Sequence, residues 1–181
     1  LTEPYVLPVI HEVAYPQPAF PMAQRSPSSI TDLIFHHSDG PGNQSPLAID
    51  AEHRAEGWCM IGYNFVISSD GTVYAGRNPI YVPSAAYGRN AQSVNVCLLG
   101  DFEPGTNGYG QPTSAQVQAA KMMAVYLHAR YPSIVRTIGH RDVAVLFYPD
   151  DRADYATACP GLAFEALLPE IRSYVTANRP H

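Results

Sequence analysis

Lysine is almost missing from this chain. Lys121 is the only one, and 11 Lys+Arg face 16 Asp+Glu for a formal net charge of −5. Nucleic-acid modules gain affinity by setting many cations against phosphates, so that class is excluded. No apolar run approaches the roughly 18 residues of a membrane span, and the membrane class falls with it. The three cysteines, Cys59, Cys97 and Cys159, are too few and too scattered for a disulfide scaffold. Their odd count leaves at least one thiol free, and a 59–97 pairing stays open for a secreted protein. An initiator Met is absent, which reads as a processed or trimmed start, with a removed signal peptide as one source. Internal repeats are also absent. What remains is an ordinary globule of 181 residues, 46% hydrophobic and 15% charged. That length suits one domain able to bury roughly 70% of its unfolded surface.

Residues 1–29 differ from the rest. Six of the 17 prolines fall there, at Pro4, Pro8, Pro16, Pro18, Pro21 and Pro27. Proline blocks helix and central-strand pairing, so the segment reads as an extended arm. Val6, Val9, Ile10 and Phe20 favour an arm docked on the domain over a free linker. From Thr31 the pattern becomes that of a packed domain. Leu33-Ile34-Phe35 predicts a buried strand ending at His36-His37. Residues 39–46 read as a loop, and Ile49 to Trp58 as a helix capped by Asp50. Tyr63 to Ser68 alternates like a strand, and Asp70-Gly71 turns it into Thr72 to Ala75 as a hairpin. Val94 to Leu99 is a further buried strand. The clearest helix runs from Thr113 to Tyr131, with Thr113 and Gln116 at capping-box spacing and Pro132 as its stop. Ile134 to Ile138 predicts a strand, 146–155 a loop and Leu162 to Val175 the last helix. Strands alternate with helices, so the expected fold is α/β, with a mixed sheet.

The chain has seven histidines. Two expected strands end in histidine, at His36-His37 and at His140, where α/β proteins commonly present functional side chains. Cys159 lies in a turn before the last helix. Two imidazoles and a thiolate make a zinc donor set that leaves a fourth tetrahedral position for water. Isolated histidines are more often structural, so on residue types alone both readings stand.

Several segments occur in a telling order: Ile34-Phe-His-His-Ser38, Ile61-Gly-Tyr-Asn-Phe65, Ser69-Asp-Gly-Thr-Val-Tyr-Ala-Gly-Arg77, Ser93-Val-Asn-Val-Cys-Leu-Leu-Gly-Asp-Phe102, Gly139-His-Arg-Asp142 and Cys159-Pro-Gly161. Together they resemble the zinc-dependent N-acetylmuramoyl-L-alanine amidases of the type-2 amidase and peptidoglycan recognition protein superfamily. The likeness covers roughly residues 31 to 175, so the chain divides into a proline-rich N-terminal arm, 1–29, and an amidase domain, 30–181. It implies a single domain with a central mixed β-sheet flanked by helices and a zinc-bearing groove. It also implies one Zn2+ with a catalytic water, held by His36, His140 and Cys159. Tyr63 matches the family's active-site tyrosine. Thr157 stands where phage relatives carry lysine and many recognition-protein amidases threonine. The implied reaction is hydrolysis of the amide between the lactyl group of N-acetylmuramic acid and the L-alanine of the stem peptide. Zinc would acidify a water and polarise the scissile carbonyl, with the Tyr63 and Thr157 hydroxyls as donors to the oxyanion.

The chain also departs from the pattern. Many relatives have a histidine before the Val94 strand; here the segment is Pro83-Ser-Ala-Ala-Tyr-Gly-Arg-Asn90, which offers Tyr87, Arg89 and Asn90 as substrate contacts. Leu146 to Tyr155 is an unusually rich stretch, read as a groove wall with Arg152 available to substrate carboxylates. The Val94 strand lacks the carboxylate that cytosolic relatives carry, so the proton donor is unassigned. His37 and His53 read as packing or supporting residues, and His11, His128 and His181 as surface. Cys97 reads as an inert buried hydrophobe. The partner expected is peptidoglycan or its muropeptides, the setting exported and the protein a monomer. A non-catalytic peptidoglycan-binding module of the same fold is the alternative, although such members typically lack the cysteine. A structural zinc domain would need a fourth ligand, and His37 faces the wrong way along its strand to be one.

Overall fold

A largely apolar run suits a strand covered on both faces, and Asp32–His37 (β2) and Ser93–Leu98 (β5) are buried at every position. They pair in parallel, with Leu33 beside Val94 and His36 beside Cys97. Arg136–Gly139 (β6) joins the other side of β2 in parallel, and Phe65–Ile67 (β3) the other side of β5. Asp70-Gly71 then turns β3 into the antiparallel Val73–Ala75 (β4), with Gly71 at φ +84° taking the left-handed angle of the turn. Ile10–His11 (β1) adds in parallel along β4. In this computed structural model, which describes residues 7–178, the result is one mixed sheet of order β1-β4-β3-β5-β2-β6. The α/β class and the mixed sheet are as the sequence led us to expect.

Alternation along β2 and β5 sorts side chains onto two faces. Leu33, Phe35, Val94, Val96 and Leu98 point into the main core. They pack there against Ser114–Arg130 (α2) and Leu168–Asn178 (α6). Helix α2 begins in the expected capping box, in which Thr113 and Gln116 satisfy each other's backbone N–H groups. The opposite face carries Ile34, which packs with Ala86, Ile138 and Val143, and beyond them the polar site. No helix among the described residues is long and apolar enough to cross a membrane.

Four expectations need correction. The first helix is Pro46–Ala55 (α1), and Ser45, not Asp50, caps it by accepting the Ala48 N–H. Pro46 is suited to that first turn, where no N–H partner is needed. Asp50 is buried mid-helix and accepts the Ile61 N–H at 2.6 Å and Arg54 Nε at 2.7 Å. The stretch 146–155, read as a loop, takes in the end of Asp142–Phe147 (α3) and all of Arg152–Tyr155 (α4). The last helix is divided into Leu162–Glu165 (α5) and α6. Pro169 explains the break, because its ring clashes with a helical carbonyl four residues back, at Glu165. His128 is buried rather than on the surface, with Nε2 2.8 Å from Thr137 Oγ1. His11 is exposed as expected, whereas His181 and Val6 lie outside the described residues.

The arm is docked. The Tyr15 hydroxyl donates to the Ala75 carbonyl, Arg54 holds the carbonyls of Pro16 and Gln17, and Ala19 N–H reaches Cys59 O. Arg25 fastens its far end, donating to the carbonyls of Pro79, Asn90 and Ser93. All three cysteines are free, so no 59–97 disulfide forms; the Cys59 thiol donates to Phe20 O instead.

Candidate metal centre

Sheet register builds the site. Phe35 pairs with Gly139, so the chain delivers His36 and His140 side by side at the carboxyl ends of parallel strands. The His140 N–H donates to Phe35 O at 3.1 Å, which extends the pairing by one residue. Cys159 arrives after α4, and its carbonyl accepts the Arg141 N–H at 2.8 Å. Gly161, at φ +81°, lets the chain leave past Phe102, where a Cβ would meet the Phe102 backbone at 2.3 Å. The His36 and His140 rings approach to 4.7 Å between centroids, and His36 Nδ1 lies 3.5 Å from Cys159 Sγ. One ligand atom from each of the three residues lies within 4.8 Å of the other two.

Burial sets the protonation of this group. His36 is held well below the usual imidazole range, first by burial and then by His140. His140 is pulled down to about 4 by burial, with His37 adding to it. Both imidazoles are therefore neutral at pH 7 and keep a free electron pair, the state a metal ligand needs. Burial also pushes the Cys159 thiol up to about 12, so it keeps its proton until a cation takes its place.

Tyr63 packs its ring 5.2 Å from His36 and 5.2 Å from His53. Burial, reinforced by the Cys97 and Cys159 sulfurs, raises its hydroxyl well above the ordinary range, so it stays a neutral donor. Thr157 Oγ1 accepts the Cys159 N–H at 3.2 Å, which leaves its own proton free. His53 is a satisfied packing residue: its Nδ1 accepts the Gly62 N–H, and its ring lies 4.4 Å from that of Trp58. His37 points to the other face, as the strand period requires, and its Nδ1 accepts the Phe102 N–H. There it forms a second group with Asp39 and Asp101, but Asp101 already accepts from Thr106 Oγ1 and the Glu103 N–H.

The other candidates scatter. Arg89 is engaged in an ion pair with fully buried Asp32 and lies over the Phe147 ring at 4.0 Å. Asn90 Oδ1 accepts the N–H groups of Ala85 and Ala86. Both residues are thus bound into the structure rather than brought to the His–His–Cys group. Tyr87 is 72% exposed and stacks on Tyr155 at 5.3 Å, which in turn stacks on Tyr148 at 3.7 Å. Arg152 is exposed at the start of α4. Sequence reasoning missed Asn95, whose Oδ1 lies 2.8 Å from His36 Nε2. The available signal was an amide in the middle of an otherwise apolar strand.

Comparison with known proteins gives concordant results. The family model described as N-acetylmuramoyl-L-alanine amidase matches residues 26–162. An endolysin of Enterobacteria phage T3 is 37% identical over 125 residues, which span 67% of this chain and 82% of the phage protein. Peptidoglycan-recognition protein SC2 of Drosophila melanogaster is 32% identical over 154 residues, 76% of this chain and 75% of that protein. Among solved structures, the endolysin N-acetylmuramoyl-L-alanine amidase LysCS from Clostridium intestinale URNW superposes with a TM-score of 0.75 at 30% identity. That match covers 95% of this chain and 98% of the other.

Proposed function

The chain belongs to the N-acetylmuramoyl-L-alanine amidase family, and from that premise we propose that it cuts the muramoyl–L-alanine amide with one zinc ion held by His36, His140 and Cys159. One observation carries the metal reading. Zinc bonds of about 2.0–2.1 Å to nitrogen and 2.3 Å to sulfur, at the tetrahedral angle, put the two donors about 3.5 Å apart. The separation between His36 Nδ1 and Cys159 Sγ is 3.5 Å, and both imidazoles are neutral. Three protein donors leave one tetrahedral position open, which separates a catalytic centre from a structural one. Bound there, zinc supplies a Lewis acid that polarises the amide carbonyl and acidifies water near neutral pH.

The chain's own residues supply the rest. The Tyr63 hydroxyl, kept protonated by burial, donates to the oxyanion that develops as the amide carbon becomes tetrahedral. The Thr157 hydroxyl, oriented by the Cys159 N–H, is the second donor. Tyr87, at the outer end of its stack, offers a face to a sugar ring, and Arg152 a guanidinium to a stem-peptide carboxylate. The donors and both hydroxyls come from one chain, which suits a monomer, and the substrate places the enzyme in contact with the cell wall, as an exported protein.

The test is mass spectrometry of purified peptidoglycan fragments incubated with the protein, with and without a zinc chelator. Free stem peptides beginning at L-alanine should appear, vanish on chelation and return with added zinc. Cleavage that survives chelation would remove zinc from the account. Intact fragments that co-sediment with the protein would replace catalysis by a binding role, the reading that the likeness to a recognition protein keeps in view.

A further inference from the structure

Asn95 lies in β5, beside β2, the strand that carries His36, and both side chains are fully or nearly fully buried. A buried amide left without partners carries the full desolvation penalty of each unmet group, so its bonds reveal how it is held. The Asn95 backbone N–H donates to Asn64 Oδ1 at 2.9 Å. Its side-chain Nδ2 donates to Ser93 Oγ at 2.8 Å and faces Ser93 O at 3.4 Å. That carbonyl can only accept, so reversing the amide would set oxygen against oxygen. Asn95 Oδ1 is therefore fixed toward His36 Nε2, at 2.8 Å. An acceptor there requires the proton to sit on Nε2. In a neutral imidazole the electron pair is then on Nδ1, the atom that faces Cys159 Sγ.

We propose that Asn95 locks His36 in the Nε2–H tautomer and thereby presents Nδ1 to the metal, as a positioning residue that touches neither substrate nor ion. Its consequence for metal affinity rests on the zinc reading above; the tautomer itself does not. Partners of this kind orient a ligand ring and raise its basicity, and their loss typically weakens metal binding about 10–100-fold.

Two readouts test this without reference to activity. Long-range proton–nitrogen NMR of metal-free, 15N-histidine-labelled protein at pH 7 should show His36 with a pyrrole-type Nε2 and a pyridine-type Nδ1. Competition with a chromophoric chelator should show zinc binding weakened about 10–100-fold in Asn95→Leu. In Asn95→Asp, which keeps an acceptor oxygen, it should stay within a few-fold of wild type. A wild-type His36 protonated on Nδ1 overturns the proposal, as does an Asn95→Leu protein with unchanged tautomer and zinc affinity. If Asn95→Leu does not fold, the wild-type spectrum still decides, and loss of zinc by a folded Asn95→Asp counts against the idea. A wild-type protein that shows the Nε2–H tautomer but takes up no zinc would defeat the zinc reading and leave the tautomer assignment standing.

Discussion

Replacing Arg89 by glutamine should cost stability and leave substrate affinity alone. Its guanidinium pairs with Asp32, which is 0% exposed, and rests on the Phe147 ring at 4.0 Å. Removing one partner of a buried ion pair typically costs about 3–5 kcal/mol. Here Arg136 still reaches the other Asp32 oxygen at 2.9 Å, so Asp32 is not left alone. That second partner is itself 43% exposed and so screened, and it offsets only part of the loss. We expect a net destabilisation of about 2–3 kcal/mol, reducing the melting temperature by roughly 4–12 °C for a chain of this length. Thermal unfolding measures the first quantity. Steady-state hydrolysis of a soluble muropeptide, well below the new melting point, measures the second. An unchanged melting temperature with a tenfold rise in KM would refute the reasoning and return Arg89 to the substrate.

Other outcomes follow from the same physics. Tyr63→Phe should lower kcat about 100–1,000-fold with zinc content unchanged, as expected for loss of one oxyanion donor; equal activity would end that role. In metal-free protein, burial holds His53 and His140 down to about 4, so each is neutral when folded and becomes protonated when unfolded below pH 6.5. Stability should therefore fall as pH drops from about 6.5 toward 4, and a flat urea midpoint across pH 7, 6 and 5 contradicts this. Glu165 has the opposite sign. Burial, aided by Asp142, raises it to about 7, so stability is lost as pH climbs from about 4.5 through 7. Glu165→Gln should gain on wild type between pH 5 and 8 in thermal unfolding, and parallel curves would argue otherwise.

Where a local rule governs an element, the sequence already showed it. Apolar runs marked β2 and β5, Asp70-Gly71 marked the hairpin, and Thr113 with Gln116 marked the start of α2. The α1 cap was misplaced because Ser45 and Pro46 sit at the end of a turn-rich stretch, where Ser45 caps the helix and Pro46 is already its first residue. His36, His140 and Cys159 were found through resemblance to a family, not through spacing. What unites the two histidines is the pairing of β2 with β6, a choice of neighbour that no local pattern encodes. The same holds for Arg89, whose partner Asp32 lies on a distant strand, and for His128, which meets Thr137 across a helix–strand contact. Asn95 was visible as a misfit in its strand, but its meaning needed the His36 ring beside it.

The proline-rich arm guards one flank of the sheet. Without it, β4 would present a row of unpaired backbone groups at the sheet's border, an invitation for another chain to add a strand. The arm fills that row itself, and does so with only the two residues of β1. Pro8 precedes them and Pro16 follows, and proline has no N–H with which to continue a ladder. What meets solvent on that flank is therefore a border too short to recruit a neighbour.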